Sequence, residues 1–190
     1  MVKTAYIGII FVSTLISQGF VVQPYLQSPT WSTMHILWET DSNSDTRVEW
    51  GTLPSLGEVT IGTAITSYGS NQLHTVELTG LHTSMRYYYR VVTSSLTSEI
   101  YDFIMPPDPL SESSFKIVAM SDMQRDNSNP NKFEEIVHDG IITYIGDNFF
   151  GDIPFDLQMV LVPGDLVDNG WSYSQWANTF FAPAHPLFAH

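Results

Sequence analysis

The 190-residue sequence contains no cysteine, which excludes disulfides, thiolate metal sites and a cysteine nucleophile together. Cations are scarce: 7 Lys and Arg face 20 Asp and Glu, for a formal net charge of −13. So few positive side chains argue against nucleic acid and anionic membranes as partners, since neither could be neutralised. An acidic protein that acts on anions needs bound cations to reverse its local field. There is no Asn-x-Ser/Thr glycosylation acceptor, no Asn-His dipeptide and no His-x-His. The early apolar run 5–16 falls short of the roughly 20 residues that span a bilayer. It follows the single cation Lys3 and ends in Ser17-Gln18-Gly19, the layout of a signal peptide (1–19) cleaved after Gly19. A secreted or periplasmic protein with no membrane contact after cleavage is expected; a buried first strand or an anchor are the alternatives.

What is present is apolar and aromatic, 43% and 13% of the residues, enough for a core. From 20 to 105 the hydrophobic pattern has period two. Met34, Ile36 and Trp38 share one strand face, and Val48 with Trp50, Val59 with Ile61, Val76 with Leu78, Tyr87 with Tyr89 and Val91, and Tyr101 with Phe103 follow. About seven short strands broken by Gly51, Pro54, Gly57, Gly69 and Gly80 predict an antiparallel β-sandwich. The proline-rich, polar stretch 106–114 reads as a linker. Beyond it the class changes. Apolar strands at 115–120 and 157–162 flank a helical pattern over 132–145, carried by Phe133, Ile136, Val137, Ile141 and Tyr144. A second helix is expected over 173–181 with Tyr173, Trp176 and Phe180 on one stripe. Strand, helix, strand, helix implies a parallel α/β unit over 115–190.

Both α/β strands stop at acidic loops: Met120-Ser-Asp122-Met-Gln124 and Val162-Pro-Gly164-Asp165-Leu-Val-Asp168-Asn169-Gly170. Side by side, such strands place Asp122 and Asp165 on one rim, at the carboxyl ends where α/β sheets bind ligands. Each aspartate could equally bond its own turn backbone. The six histidines, His35, His74, His82, His138, His185 and His190, have no metal-like neighbours in sequence and read as surface or half-buried side chains.

The segment Leu78-Thr-Gly-Leu81 through Tyr87-Tyr-Tyr89-Arg-Val91 resembles the fibronectin type III pattern with its structural tyrosine, here Tyr87. Gln23-Pro-Tyr-Leu-Gln27, Met34-His-Ile-Leu-Trp38 and Val48-Glu-Trp-Gly51 make 20–105 similar to the N-terminal domain of purple acid phosphatases. Asp122 and Gly164-Asp165-Leu-Val-Asp168 resemble the first two blocks of calcineurin-like metallophosphoesterases. The later Gly-Asn-His and Gly-His-x-His blocks are not found. The resemblance thus implies a multidomain β + α/β protein, a sandwich followed by the first half of a metallophosphoesterase domain, truncated at its C-terminus.

It implies hydrolysis of phosphate esters in the full-length parent by two metal ions (Fe, Mn or Zn) that activate a hydroxide. Asp165 would bridge the metals and Asp122 would bind one of them. Gln124 stands where the family has a histidine ligand, and reads either as a weak ligand or as loop. Asp168 and Asn169 fall where the family orients its catalytic groups, although Asp168 as an ordinary turn residue is an equal reading. Asp168 also replaces the tyrosine of the coloured enzymes, so no purple chromophore is expected. Asn169 and Trp171 could line a substrate pocket, with core packing the favoured role for Trp171. No catalytic general acid is found in this chain, which is expected to be inactive by itself. The alternative is an extracellular binding or adhesion module with a vestigial catalytic tail, and the sequence leaves oligomeric state open.

Overall fold

The computed structural model describes residues 19–125 and 127–190. The leader segment, apart from Gly19, therefore lies outside the described residues. No helix among the described residues is long and apolar enough to cross a membrane.

Nine strands make up the sandwich. They are β1 (Phe20–Gln27), β2 (Thr33–Thr40), β3 (Arg47–Gly51), β4 (Glu58–Ile61) and β5 (Thr63–Thr66). Then come β6 (Gln72–Thr79), β7 (Arg86–Thr93), β8 (Leu96–Thr97) and β9 (Tyr101–Ile104). One sheet has the order β1-β2-β6-β5; the other has β4-β3-β7-β8, with β9 on the far part of β7. Every pairing is antiparallel. Alternation drives the packing: Met34, Ile36, Trp38, Val48, Val76, Leu78, Tyr87, Tyr89, Val91 and Phe103 point inward as one buried cluster. Tyr87 packs its ring against Phe103, and its hydroxyl accepts the His82 backbone N–H at 3.0 Å, the structural role that the resemblance implies for it.

β2 departs from simple alternation. Leu37 and Glu39, on the face opposite Trp38, are also buried, at 9% and 4% exposure. The cause is the helical half of the chain, which covers the outside of that sheet. Tyr173 stacks on Tyr68 at 4.5 Å and donates its hydroxyl to Glu39, while Asn71 Nδ2 donates to the Tyr173 oxygen at 3.2 Å. Ser67 donates to the other Glu39 oxygen. A second junction sits at the sandwich end. There the buried Tyr89 hydroxyl donates to the Ala189 carbonyl at 2.8 Å, and His190 Nδ1 lies 3.2 Å from Asp102 Oδ1.

His74 corrects the reading of all six histidines as surface or half-buried, since it is fully buried beneath Trp38. Both ring nitrogens are hydrogen-bonded to threonine hydroxyls, Nδ1 to Thr46 at 2.7 Å and Nε2 to Thr40 at 2.8 Å. Burial pushes this imidazole from the usual 6.5 down to about 4, against the opposing pull of the Asp45 and Glu39 carboxylates. A depressed folded-state value means the unfolded chain takes the proton first. Stability from a neutral His74 is complete above pH 6.5 and is lost as pH falls toward 4. At about 1.4 kcal/mol per unit, the loss is on the order of 2–3 kcal/mol. Urea midpoints measured from pH 7 to pH 4 should fall, and should fall less in His74→Gln. Parallel curves for the two proteins would refute the assignment.

Beyond 106–114 a second cluster forms around Met123, Phe133, Val137, Ile145, Leu157, Phe180 and Leu187. The strands β10 (Ile117–Ala119) and β11 (Met159–Leu161) pair in parallel, with Ile117 opposite Met159 and Ala119 opposite Leu161. A helical stretch, 132–148, connects them. Its centre, Ile136–Ile142, is π-wound. The wider winding suits the four-residue spacing Phe133, Val137, Ile141, Ile145, and it turns the expected Ile136 and Tyr144 outward. The last helical stretch, 173–188, runs seven residues past the expected end at 181, through Pro183 and Pro186.

β10 and β11 are not the fully buried strands their apolar runs imply. Val118 and Val160 pack on the second core, while Ile117, Met159 and Leu161 stay 39–46% exposed on the other face. Parallel strands are ordinarily covered on both faces.

Candidate metal-ligand rim at the parallel strand ends

Past the ladder, the two strand ends remain tied to each other. Met120 N–H donates to the Leu161 carbonyl at 3.0 Å, Ser121 Oγ to the Gly164 carbonyl at 3.1 Å, and Met123 N–H to the Asp165 carbonyl at 3.0 Å. The two acidic loops therefore run as a matched pair. Asp122 and Asp165 both adopt left-handed backbone, with φ of +59° and +51°. Aspartate tolerates that region better than most side chains, but it remains a cost the surrounding fold must carry. Met123, buried at 4% exposure, pins the first loop into the second core. Both carboxylates are exposed, as a rim open to ligands requires.

The other sequence candidates fall into place less evenly. Gln124 is half-buried, and its Oε1 is buried without a hydrogen-bond donor. Asp168 is exposed. Asn169 works as a turn residue: its Oδ1 accepts Trp171 N–H at 3.0 Å and its own N–H donates to Gln175 Oε1 at 2.8 Å. Trp171 contradicts the packing role expected of it. It is 95% exposed, while the neighbouring Trp176 takes the packed position and donates Nε1–H to the Gly170 carbonyl at 3.0 Å.

Among the described residues, no group of three or more His, Cys, Asp or Glu could hold a metal ion. The rim offers two carboxylates, with one amide oxygen on the loop beside them. Oxygen donors of this kind suit hard cations, and imidazole, which transition metals favour, is missing. This donor set does not fit a complete two-metal centre. His185 and His190 lie instead at the sandwich end, against Tyr101.

Residues 21–105 match the family model of the purple acid phosphatase N-terminal domain. That segment is a purple acid phosphatase N-terminal domain. Among solved structures, purple acid phosphatase PPD1 from yellow lupin (Lupinus luteus) seeds superposes with a TM-score of 0.50 at 18% identity. The match covers 87% of this chain and 40% of that one. PhoD superposes with a TM-score of 0.54 at 13% identity, over 82% of this chain and 29% of its own. At such identities the likeness is one of fold. The chain spans less than half the length of either structure. No curated protein matches it significantly. The purple acid phosphatase N-terminal domain here contacts the strand-end half through Glu39, Tyr89 and Asp102.

Proposed function

We propose that this chain is the sandwich scaffold and the first half of the catalytic domain of a metal-dependent phosphoesterase. Asp122 and Asp165 are the first two carboxylate ligands of its metal centre. The observation that carries the reading is the matched geometry of the two loops, two left-handed aspartates on adjacent parallel strand ends joined through the Asp165 carbonyl. The purple acid phosphatase N-terminal domain and the fold likeness to PPD1 and PhoD support it. The substrate class is a phosphate ester, and the ions are Fe, Mn or Zn once histidine ligands complete the set. The leader pattern supports a secreted or periplasmic protein. The 190 residues alone hold neither imidazole at the rim nor a general acid, so they do not turn over substrate.

Two measurements test this. Mn²⁺ followed by electron paramagnetic resonance should bind weakly to the wild-type chain, and roughly tenfold more weakly to Asp165→Asn, the loss expected for one charged ligand. Equal binding by both would remove Asp165 from the site. On p-nitrophenyl phosphate with Mn²⁺, Zn²⁺ or Fe²⁺, the chain should hydrolyse no faster than the metal blank. Turnover that disappears in Asp165→Asn would overturn the claim that these residues are insufficient. Reading the gene past the His190 codon supplies the third check, because the proposal expects Gly-Asn-His and Gly-His-x-His blocks in the same frame.

A further inference from the structure

A cavity of about 220 Å³ opens beside the Asp122 loop. It is smaller than a drug-sized pocket and equals roughly seven water volumes, enough for a compact organic molecule. Its polar lining comes from Gln124, Arg125, Asn129 and Asn131 of the loop, Lys132 and Glu134 of the first helical stretch, and Asn178 and Thr179 of the last. Two features of this lining are unexplained by the rest of the fold. Gln124 Oε1 is buried there without a donor, a costly state for an amide oxygen. Arg125 and Lys132 are exposed, and neither forms an ion pair with a described residue. Among the described lining residues these two cations face one carboxylate, that of Glu134, in a chain of net charge −13.

We propose that this cavity binds a small hydroxylated anion, with a hydroxyl donating to Gln124 Oε1 and the anionic group held by Arg125 and Lys132. A buried acceptor calls for a donor: a hydroxyl, a neutral N–H or an ammonium. The two neighbouring cations repel ammonium, and of the neutral donors a hydroxyl is the most compact for a cavity of this size. The same cations select for an anion elsewhere on the ligand, and the small volume limits its size. Inorganic phosphate satisfies the cations but lacks an alcohol reaching to the floor. A neutral polyol satisfies Gln124 and leaves the cations unused. The inference needs neither metal nor turnover, so it stands or falls separately from the phosphoesterase reading.

The test is a metal-free titration of the full chain, uniformly labelled with ¹⁵N, with glycerol 3-phosphate as probe. The Gln124 side-chain amide resonances should shift saturably in the millimolar range. Glycerol and inorganic phosphate, titrated separately, should each bind roughly tenfold more weakly, since each makes half the contacts. Gln124→Met should abolish the glycerol 3-phosphate shift at its neighbours. Lys132→Gln, on the exposed rim, should weaken binding severalfold and flatten its dependence on salt. No saturable shift by tens of millimolar would overturn the proposal, with water left as the partner of Oε1. Equal binding of inorganic phosphate would also overturn it, by reducing the cavity to an ionic patch. So would full affinity in either variant; if Gln124→Met fails to fold, Lys132→Gln decides alone.

Discussion

Trp38→Ala is expected to lower the urea midpoint of the chain sharply, with about 3–5 kcal/mol of folding free energy lost, the range for a deleted core aromatic. Three terms converge on this side chain. The ring is fully buried at the centre of the sandwich cluster. It lies flat on His74, its cross-strand partner in β6, with centroids 4.8 Å apart and planes 4° from parallel. Its indole N–H donates to Thr93 Oγ1 at 2.9 Å, across to the opposite sheet. Alanine removes the ring, opens a cavity over a buried imidazole and leaves the Thr93 hydroxyl without its donor. Domain stabilities are about 5–15 kcal/mol, so the loss is a large share of the total. Trp38→Phe separates the terms. It keeps a ring against His74 and forfeits the indole bond, so it should cost about 1–2 kcal/mol. Chemical denaturation of the three proteins measures the series; a Trp38→Phe midpoint as low as that of Trp38→Ala would move the main effect from packing to the Thr93 bond.

The sandwich was legible because period two survives wherever one strand face is buried and the other is wet. Six of its strands, β2, β3, β4, β6, β7 and β9, follow from Met34-Ile36-Trp38 and the runs like it. Of the other three, β1 is irregular in register between Phe20 and Tyr25, and β5 and β8 are short, their residues Thr63-Ala-Ile-Thr66 and Leu96-Thr97 carrying little apolar alternation. The buried state of Glu39 and Leu37 could not be read locally, because it depends on a helix more than a hundred residues away. His74 was hidden for a related reason. Its burial is made tolerable by Thr40 and Thr46, and hydroxyls at those spacings carry no signal in sequence. The expected final helix stopped at 181 with its aromatic stripe, and Pro183 and Pro186 beyond it carry no helical signal in isolation. In the structure Pro183 sits in the first turn of Ala182–Phe188, where its missing N–H matters least.

At the candidate site, the adjacency of the Asp122 and Asp165 loops was legible from the strand ends, because β10 and β11 pair in parallel. Their left-handed backbone was not, because aspartate gives less warning of such a conformation than glycine does. Trp171 shows the limit of composition: a tryptophan beside an apolar strand suggests core, yet the indole that packs is Trp176, one helical turn away. The Gln124 cavity was beyond sequence reading altogether. Its walls come from a loop, one helix start and a helix some fifty residues later.

Gly62→Ala should be at least as damaging as any surface-to-core change in the sandwich, with about 3 kcal/mol or more lost. Gly62 lies between β4, in one sheet, and β5, in the other, and its N–H donates to the Thr46 carbonyl at 3.0 Å. The chain therefore changes sheets at this residue. A methyl group there would sit 2.1 Å from the Thr75 carbonyl oxygen and 2.6 Å from Val76 Cγ2. Thr75 is backbone of β6, paired to Thr63, and Val76 is fully buried, so neither can rotate away. Relief requires β5 to leave β6. Gly146→Ala is the matched control. It meets nothing within 4 Å and lies in the helix Thr143–Asn148, so the same substitution should stabilise by up to about 1 kcal/mol. Thermal melts of the two variants should thus move in opposite directions. The Gly62→Ala protein also reports on the strand-end half. That half rests on the sandwich through Tyr173 and Glu39 and through Ala189 and Tyr89. Amide exchange at Met120 and Met123 should accelerate together with that of β5 and β6. Protection that persisted there would mean that the second core holds Asp122 and Asp165 in place without the sandwich, and would reduce the N-terminal domain from scaffold to neighbour.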